Sequence, residues 1–256
     1  GTPRNPKWRF VTPKTSLYDD KTPPSKEEFE RNQYYADIAA SIQKVTEEIL
    51  VSMAKHLYQR TQVKKLCIAG GVGLNCVANY KILKETPFDE IFVQPAAGDS
   101  GGALGAALYF YYSVLNNKRS FILNHSYWGE EYSNDGIRKF LGSQGISYKY
   151  VEDEDKLLTK IIEHLVDGKV IGWFQGRFEW GPRALGNRSI LADPRRVDMK
   201  DIVNIKIKFR EPYRPFAPSV LAENVQEYFH LSSPKDCYPL RFMLLTAPVH
   251  EDRRES

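Results

Sequence analysis

The sequence predicts an α/β protein organised as two successive α/β units. Three observations carry this. The strand-like run KKLCIAG (64–70) ends in a glycine turn and leads into a helical pattern, LNCVANYKILKE (74–85). The run DEIFVQP (89–95) does the same, through AAGDSGG, into ALGAALYFYYSVL (103–115). Strand, glycine turn and helix in repeated order is the α/β pattern. A second set of strand and helix patterns begins beyond the aperiodic stretch 116–133, where a domain boundary is expected.

Residues 1–25 contain five prolines and read as an extended arm. Ser25 and Glu28 have capping-box spacing. Apolar residues at 38, 42, 45, 49, 50, 53 and 57 then recur at helical spacing and predict one long helix over about 27–60. After the boundary, 134–145 reads as a short helix and ISYKYV (146–151) as a strand. Residues 153–168 read as a helix with Gly168 as its C-cap. KVIGWFQG (169–176) reads as a strand, 199–209 as a helix and APSVL (217–221) as a strand. The last pair is a short helix over 224–229 and a strand over 241–249.

Of the 256 residues, 42% are hydrophobic and 27% charged, an ordinary globular balance that supports a core. No apolar run approaches the roughly 18 residues of a membrane span. The first residues, GTPRNPKWRF, lack the apolar core of a signal peptide. Three cysteines without a CxxC spacing fit a reducing, cytoplasmic setting, with Cys67 and Cys76 expected in the core. The net charge of +4 does not by itself imply nucleic acid. Its distribution is uneven. Residues 176–214 hold ten basic and five acidic side chains, so this block carries the basic excess of the whole chain.

The first glycine turn, LCIAGGVGLNC, places Gly70, Gly71 and Gly73 between strand and helix. A helix N-terminus offers unpaired N–H groups, and glycine lets a ligand approach them. The dinucleotide fingerprint fails at its third glycine, where Cys76 stands, and no Lys-Ser/Thr follows as in a Walker A loop. The second turn sets Asp99 and Ser100 among Gly98, Gly101, Gly102 and Gly105. Asp99 suits either a helix cap or a metal ligand beside a phosphate. Both turns follow parallel-type strands, and would open on one sheet edge, where α/β ligands bind.

The stretch GRFEWGPRALGNRSILADPR (176–195) interleaves four arginines with glycine, proline and aromatic residues. Arginine presents a planar fork that matches phosphate and carboxylate oxygens. The flanking glycines and prolines limit backbone freedom, which favours a small-anion pocket. A surface ion-pair network with Glu179, Glu211 and the aspartates is one alternative. A stacking groove for nucleic acid, using Trp173, Phe178 and Trp180, is another. IKFREPYRPFAPS adds Lys208, Arg210 and Arg214. His56, His125, His164, His230 and His250 lie outside these motifs and read as structural or solvated. No Ser–His or Cys–His nucleophile pattern is evident.

With ADIAASIQKVTEEIL, LCIAGGVGLNCVAN, FVQPAAGDSGGALGAAL, GRFEWGPRALGNRSILADPR and KFREPYRPFAPSV in one order, the sequence resembles the NodU/CmcH-type O-carbamoyltransferases, the family that includes the tobramycin carbamoyltransferase. The resemblance implies a fold: the second half of a Kae1-like (actin/Hsp70/sugar-kinase) domain over 1–118, then a YrdC-like domain over 119–256, incomplete at its C-terminus. It also implies chemistry. Carbamoyl phosphate and ATP, with Mg2+, give a carbamoyl-adenylate. The carbamoyl group then passes to a hydroxyl of a sugar, antibiotic or nodulation-factor type acceptor, beside a bound metal, usually Fe2+. Carried over by motif, Gly70, Gly71 and Asn75 line the adenosine side. Gly98, Ser100 and Gly101 lie near the phosphates, and Asp99 is a metal ligand. Arg183, Arg188, Lys208, Arg210 and Arg214 hold carbamoyl phosphate and the ATP phosphates.

Family chains are about twice as long, so this chain is expected to be an internal segment lacking the histidine metal ligands and the "HVDGTAR"- and "NTSFN"-like motifs. No nucleic-acid or membrane partner is implied, and a homodimer is allowed. Two further readings are a carbamoyl-adenylate synthase of the tRNA threonylcarbamoylation type and a non-catalytic module docking an acidic partner.

Overall fold

A computed structural model describes residues 26–209, 214–231 and 238–254. The proline-rich arm, Ser25, Arg210, Glu211 and Cys237 lie outside the described residues. The chain divides into two compact units. One comprises residues 47–199 and 217–256, the other residues 1–46 and 200–216.

The long helix predicted from periodicity is present as α1, Lys26–Thr61. Its last four turns anchor the larger unit through buried Val51 and Ala54, with Leu50 and Tyr58 packed on the same cluster. The chain then forms strand β1 (Lys65–Ile68), a 3-10 turn (Gly71–Leu74) and helix α2 (Cys76–Glu85). Strand β2 (Glu90–Val93) follows, and then helix α3 (Asp99–Tyr109), which widens into a π turn over Phe110–Val114. β1 and β2 pair in parallel, with Leu66 opposite Ile91 and Ile68 opposite Val93. Val93 is fully buried, as is Leu244 from the C-terminal segment, and both join Ile82, Phe88 and Phe242 in the core.

Helices α4 (Asn134–Ser143) and α5 (Glu154–Val166) start where the sequence offers caps. The Ser133 and Asp153 side chains accept the Gly136 and Lys156 amides. Gly168, with φ +79°, follows α5. Its amide bonds Leu165 O and the next amide bonds His164 O, the bond pair of a Schellman close. Strand β3 (Ile171–Phe174) pairs antiparallel with β4 (Arg188–Leu191), Phe174 lying opposite Arg188. The 199–209 pattern is a short helix α6 (Met199–Asp201) continued as a π turn over Ile202–Ile207. Helix α7 (Val225–Tyr228) follows.

Three expected strands are absent among the described residues. ISYKYV is exposed and has no partner strand, so its β-branched and aromatic residues find no ladder. APSVL likewise joins no strand ladder among the described residues. Residues 241–249 begin within a 3-10 turn, Tyr238–Phe242, which fills the core with Phe242. Only Val249 at their far end bridges to Phe229. β4 was not anticipated. Cys67 is exposed on β1 rather than in the core, and Cys76 is partly buried at the start of α2. No helix among the described residues is long and apolar enough to cross a membrane.

Candidate functional site

The two glycine turns abut. Gly70 adopts φ +99°, and its amide donates to Ala97 O across the turns at 2.8 Å. A Cβ on Gly98 would lie 3.9 Å from the Gly71 Cα. The first turn is fixed from below. Asn75 caps α2 by accepting the Ala78 amide at 3.1 Å. One turn later Asn79, 1% exposed, donates to Gly73 O at 2.8 Å and to Leu244 O at 2.9 Å. The second turn is fixed by Gln94, whose side chain brackets Ala96 from both sides, at 2.6 Å to its carbonyl and 2.9 Å to its amide. A Cβ on Gly101 would collide with that Gln94 amide group and with Ala96 O, which is why glycine stands there.

The arginine block lies on these turns. Gly176, Gly181 and Gly186 have φ of +52°, +122° and +108°, conformations that favour glycine. A Cβ on Gly181 would come 3.0 Å from Pro95 O, so the loop backbone rests on the second turn. Two residues on, the Arg183 Nη2 donates to Leu74 O of the first turn at 3.2 Å. Leu74, Ala96, Gly98, Ser100, Gly181 and Pro182 line a small cavity of about 260 Å³. It opens beside the first turn of α3, whose first N–H groups precede the helical ladder, while Gly101 N–H already donates to Gly98 O at 3.0 Å.

The other charged residues of the block have different duties. Arg188 lies over the Phe174 ring at 3.5 Å and the Phe178 ring at 4.1 Å. Its guanidinium donates to the carbonyls of Gln175, Asn187 and Gly176. Arg177 meets Glu131 at 3.5 Å, and Arg196 meets Asp198 at 3.0 Å. Arg195 forks onto both Asp193 oxygens, and with its backbone amide holds that carboxyl down to about 2. The ion-pair reading therefore describes Arg177, Arg195 and Arg196. Glu179, expected in that network, instead accepts the amides of Leu185 at 2.6 Å and Asn187 at 2.8 Å. The Tyr127 hydroxyl closes the same loop by donating to Leu185 O at 2.9 Å.

Of the residues singled out from sequence, Gly70, Gly71, Asn75, Gly98, Ser100, Gly101 and Arg183 are gathered within the larger unit. Asp99 is exposed in the first turn of α3. Among the described residues no group of three His, Cys, Asp or Glu could hold a metal ion, and Asp99 stands there as a single candidate ligand. Lys208 and Arg214 belong to the smaller unit. There Lys208 Nζ lies 5.4 Å from the Phe216 ring centre, and fully buried Asn204 donates to Arg214 O at 2.9 Å. Arg210 lies outside the described residues.

Sequence reasoning missed Asn79, Tyr127 and Asn204, and it missed the backbone-binding role of Glu179. Asn79 had a readable signal: a polar residue one turn after Asn75 and three before Ile82, on the apolar side of α2. Glu179 carried none beyond being an acid inside a basic block.

Residues 14–108 match the family model for the carbamoyltransferase N-terminus, and residues 162–256 match that for the carbamoyltransferase C-terminus. The chain is 47% identical over 224 residues to an uncharacterized protein of Synechocystis, covering 85% of this chain and 35% of that protein. It is 44% identical over 223 residues to the nodulation protein NolNO of Sinorhizobium fredii, covering 87% of this chain and 32% of the relative. It is 34% identical over 200 residues to the 3'-hydroxymethylcephem-O-carbamoyltransferase of Amycolatopsis lactamdurans, covering 75% and 35%. The chain thus spans about a third of the length of these relatives, a smaller share than the half expected.

Proposed function

The chain belongs to the carbamoyltransferase family, and from that premise we propose that it carries the anion-handling part of an ATP-dependent O-carbamoyltransferase. In this reading carbamoyl phosphate, ATP and water give a carbamoyl-adenylate, phosphate and pyrophosphate. The carbamoyl group then passes to a hydroxyl of a small-molecule acceptor: the new C–O bond replaces the bond to the adenylate, AMP leaves and the hydroxyl proton is released. Both steps move charge onto phosphate oxygens, so fixed cations and N–H groups supply the catalysis.

The observation that carries the proposal is the seat of the 180–183 loop on both glycine turns, with Arg183 on Leu74 O and Gly181 and Pro182 facing Gly98 and Ser100 across the cavity. One guanidinium N–H is spent there, and among the described residues the rest of the fork meets no acceptor and can take an anion. Arg183 is assigned to carbamoyl phosphate or the ATP phosphates, with Gly98, Ser100 and Gly101 beside them and Gly70, Gly71 and Asn75 toward the adenosine. The family resemblance also gives Lys208, Arg210 and Arg214 a phosphate-binding role, and Mg2+ enters with ATP. Arg188 acts through the backbone that it binds. No step is assigned to iron. The relative from Amycolatopsis is named for a hydroxymethyl acceptor, which supports a hydroxyl acceptor of small-molecule type here.

Isothermal titration tests the proposal directly. Carbamoyl phosphate, then ATP with magnesium, should each bind the folded chain at micromolar level, and Arg183→Ala should weaken binding by about tenfold or more, the loss of a charge-assisted bond. A folded wild-type chain that gives no heat with either ligand overturns it.

A further inference from the structure

Ten basic side chains occupy residues 176–214. An acid among them would be expected to meet an arginine. Glu179 does not: among the described residues its carboxylate bonds backbone amides. One oxygen, Oε1, accepts both Leu185 N–H and Asn187 N–H. Between those residues Gly186 has φ +108°. Alternate amides turned toward one point by a residue of positive φ form a concave anion seat. Here the anion is a side chain of the chain itself, folded back six and eight residues. The seat fixes the loop's far end. Tyr127 holds Leu185 O, and Asn187 Nδ2 returns to Arg177 O at 2.9 Å. The near end is fixed where Gly181 rests against Pro95 O. Arg183 lies midway between these two anchors and reaches Leu74 O.

Arg188 does the complementary task. Its cation binds the carbonyls of residues 175, 176 and 187, while Glu179 binds the amides of 185 and 187. Asn187 is thus held through its N–H by an anion and through its C=O by a cation. A fixed backbone of this kind lets an arginine between the anchors present its fork without first losing conformational freedom.

We propose that Glu179 is a positioning residue for the anion site, its carboxylate oxygen holding the 181–187 loop so that Arg183 sits on the Leu74 carbonyl beside the small cavity. This rests on the reading of Arg183 as the ligand-binding cation. It requires an acceptor oxygen at that place rather than a negative charge, and so separates Glu179→Gln, which keeps an oxygen there, from Glu179→Ala, which does not.

The experiment is amide hydrogen exchange on the full chain in wild type, E179A and E179Q, combined with titration of carbamoyl phosphate. The Ile82 amide in α2 reports global stability. In E179A the Leu185 and Asn187 amides should exchange about tenfold faster or more at unchanged Ile82 protection, as expected for loss of a charge-assisted bond. Carbamoyl phosphate affinity should fall by a similar factor, and E179Q should restore most of both. Unchanged exchange at Leu185 and Asn187 in E179A overturns the proposal. So does wild-type affinity in E179A, or an E179Q as impaired as E179A. Wild-type chain that binds no carbamoyl phosphate sinks the functional reading instead, and the exchange rates still decide whether Glu179 braces the loop.

Discussion

Asp193 is almost fully covered, and yet it stays ionised because Arg195 grips both of its oxygens and adds a backbone N–H. Its folded value of about 2 lies below the ordinary 3.8. A depressed carboxyl contributes stability that is present above the unfolded value and is lost as pH falls through the folded one. Wild type should therefore exceed Asp193→Asn in thermal stability at neutral pH, and the gap should close between about pH 4 and about pH 2. Melting curves across that range check this, and a gap that does not depend on pH would refute it. Arginine, glycine and proline were legible at this scale because each restricts its own surroundings. Asn79 was not, because one of its two partners, Leu244, is 165 residues away. The place of Glu179 was hidden for a similar reason: its role depends on a turn that exists only once Gly186 has folded.

Periodicity located α1 to within a residue at either end, but of the stripe that revealed the helix only Leu50 packs on the core. Ile38, Ile42, Val45, Ile49, Met53 and Leu57 are all exposed, while Val51 and Ala54 are buried. A second apolar face, built from Leu50, Val51, Ala54 and Tyr58, does the packing. Val51→Ala should therefore cost about 2 kcal/mol, whereas Ile49→Ala should stay within about 0.5 kcal/mol. Denaturant unfolding of the two variants decides which face is inward, and equal losses would reverse the assignment. The strands divide along the same line. β1 and β2 were readable because glycine turns bound them and alternate residues are buried. ISYKYV has the composition of a strand, but a strand also needs a neighbour, and composition does not reveal whether one is near.

At the scale of the whole chain, α/β character was legible, as was the family, because five motifs in fixed order specify it. The share of the family's length was overestimated, since no motif in the chain records what lies beyond it. Within the larger unit, and among the described residues, the β1–β2 sheet is open on one side. Cys67 and Phe92 are exposed there, along a groove of about 1350 Å³ that Leu104, Leu108 and Tyr238 also line. In a Cys237→Ser background, a maleimide should label Cys67 in the native protein about tenfold faster than Cys76, with the difference vanishing on unfolding. Equal native rates would contradict an open sheet face.

The contact between Gly181 and Pro95 has a consequence for how such a chain can change over time. The two positions, 86 residues apart, share a single volume, since a Cβ at 181 would already stand 3.0 Å from the carbonyl of 95. A methyl group gained at Gly181 requires the loop or the second turn to give by a few tenths of an ångström, at a φ of +122° that side chains rarely adopt. That turn also carries the Ala97 carbonyl bonded to Gly70. Drift at Gly181 is therefore not a private matter of its own loop. A lineage that enlarges it shifts the fit of the Pro95–Ala97 segment as well, so the two segments share a history.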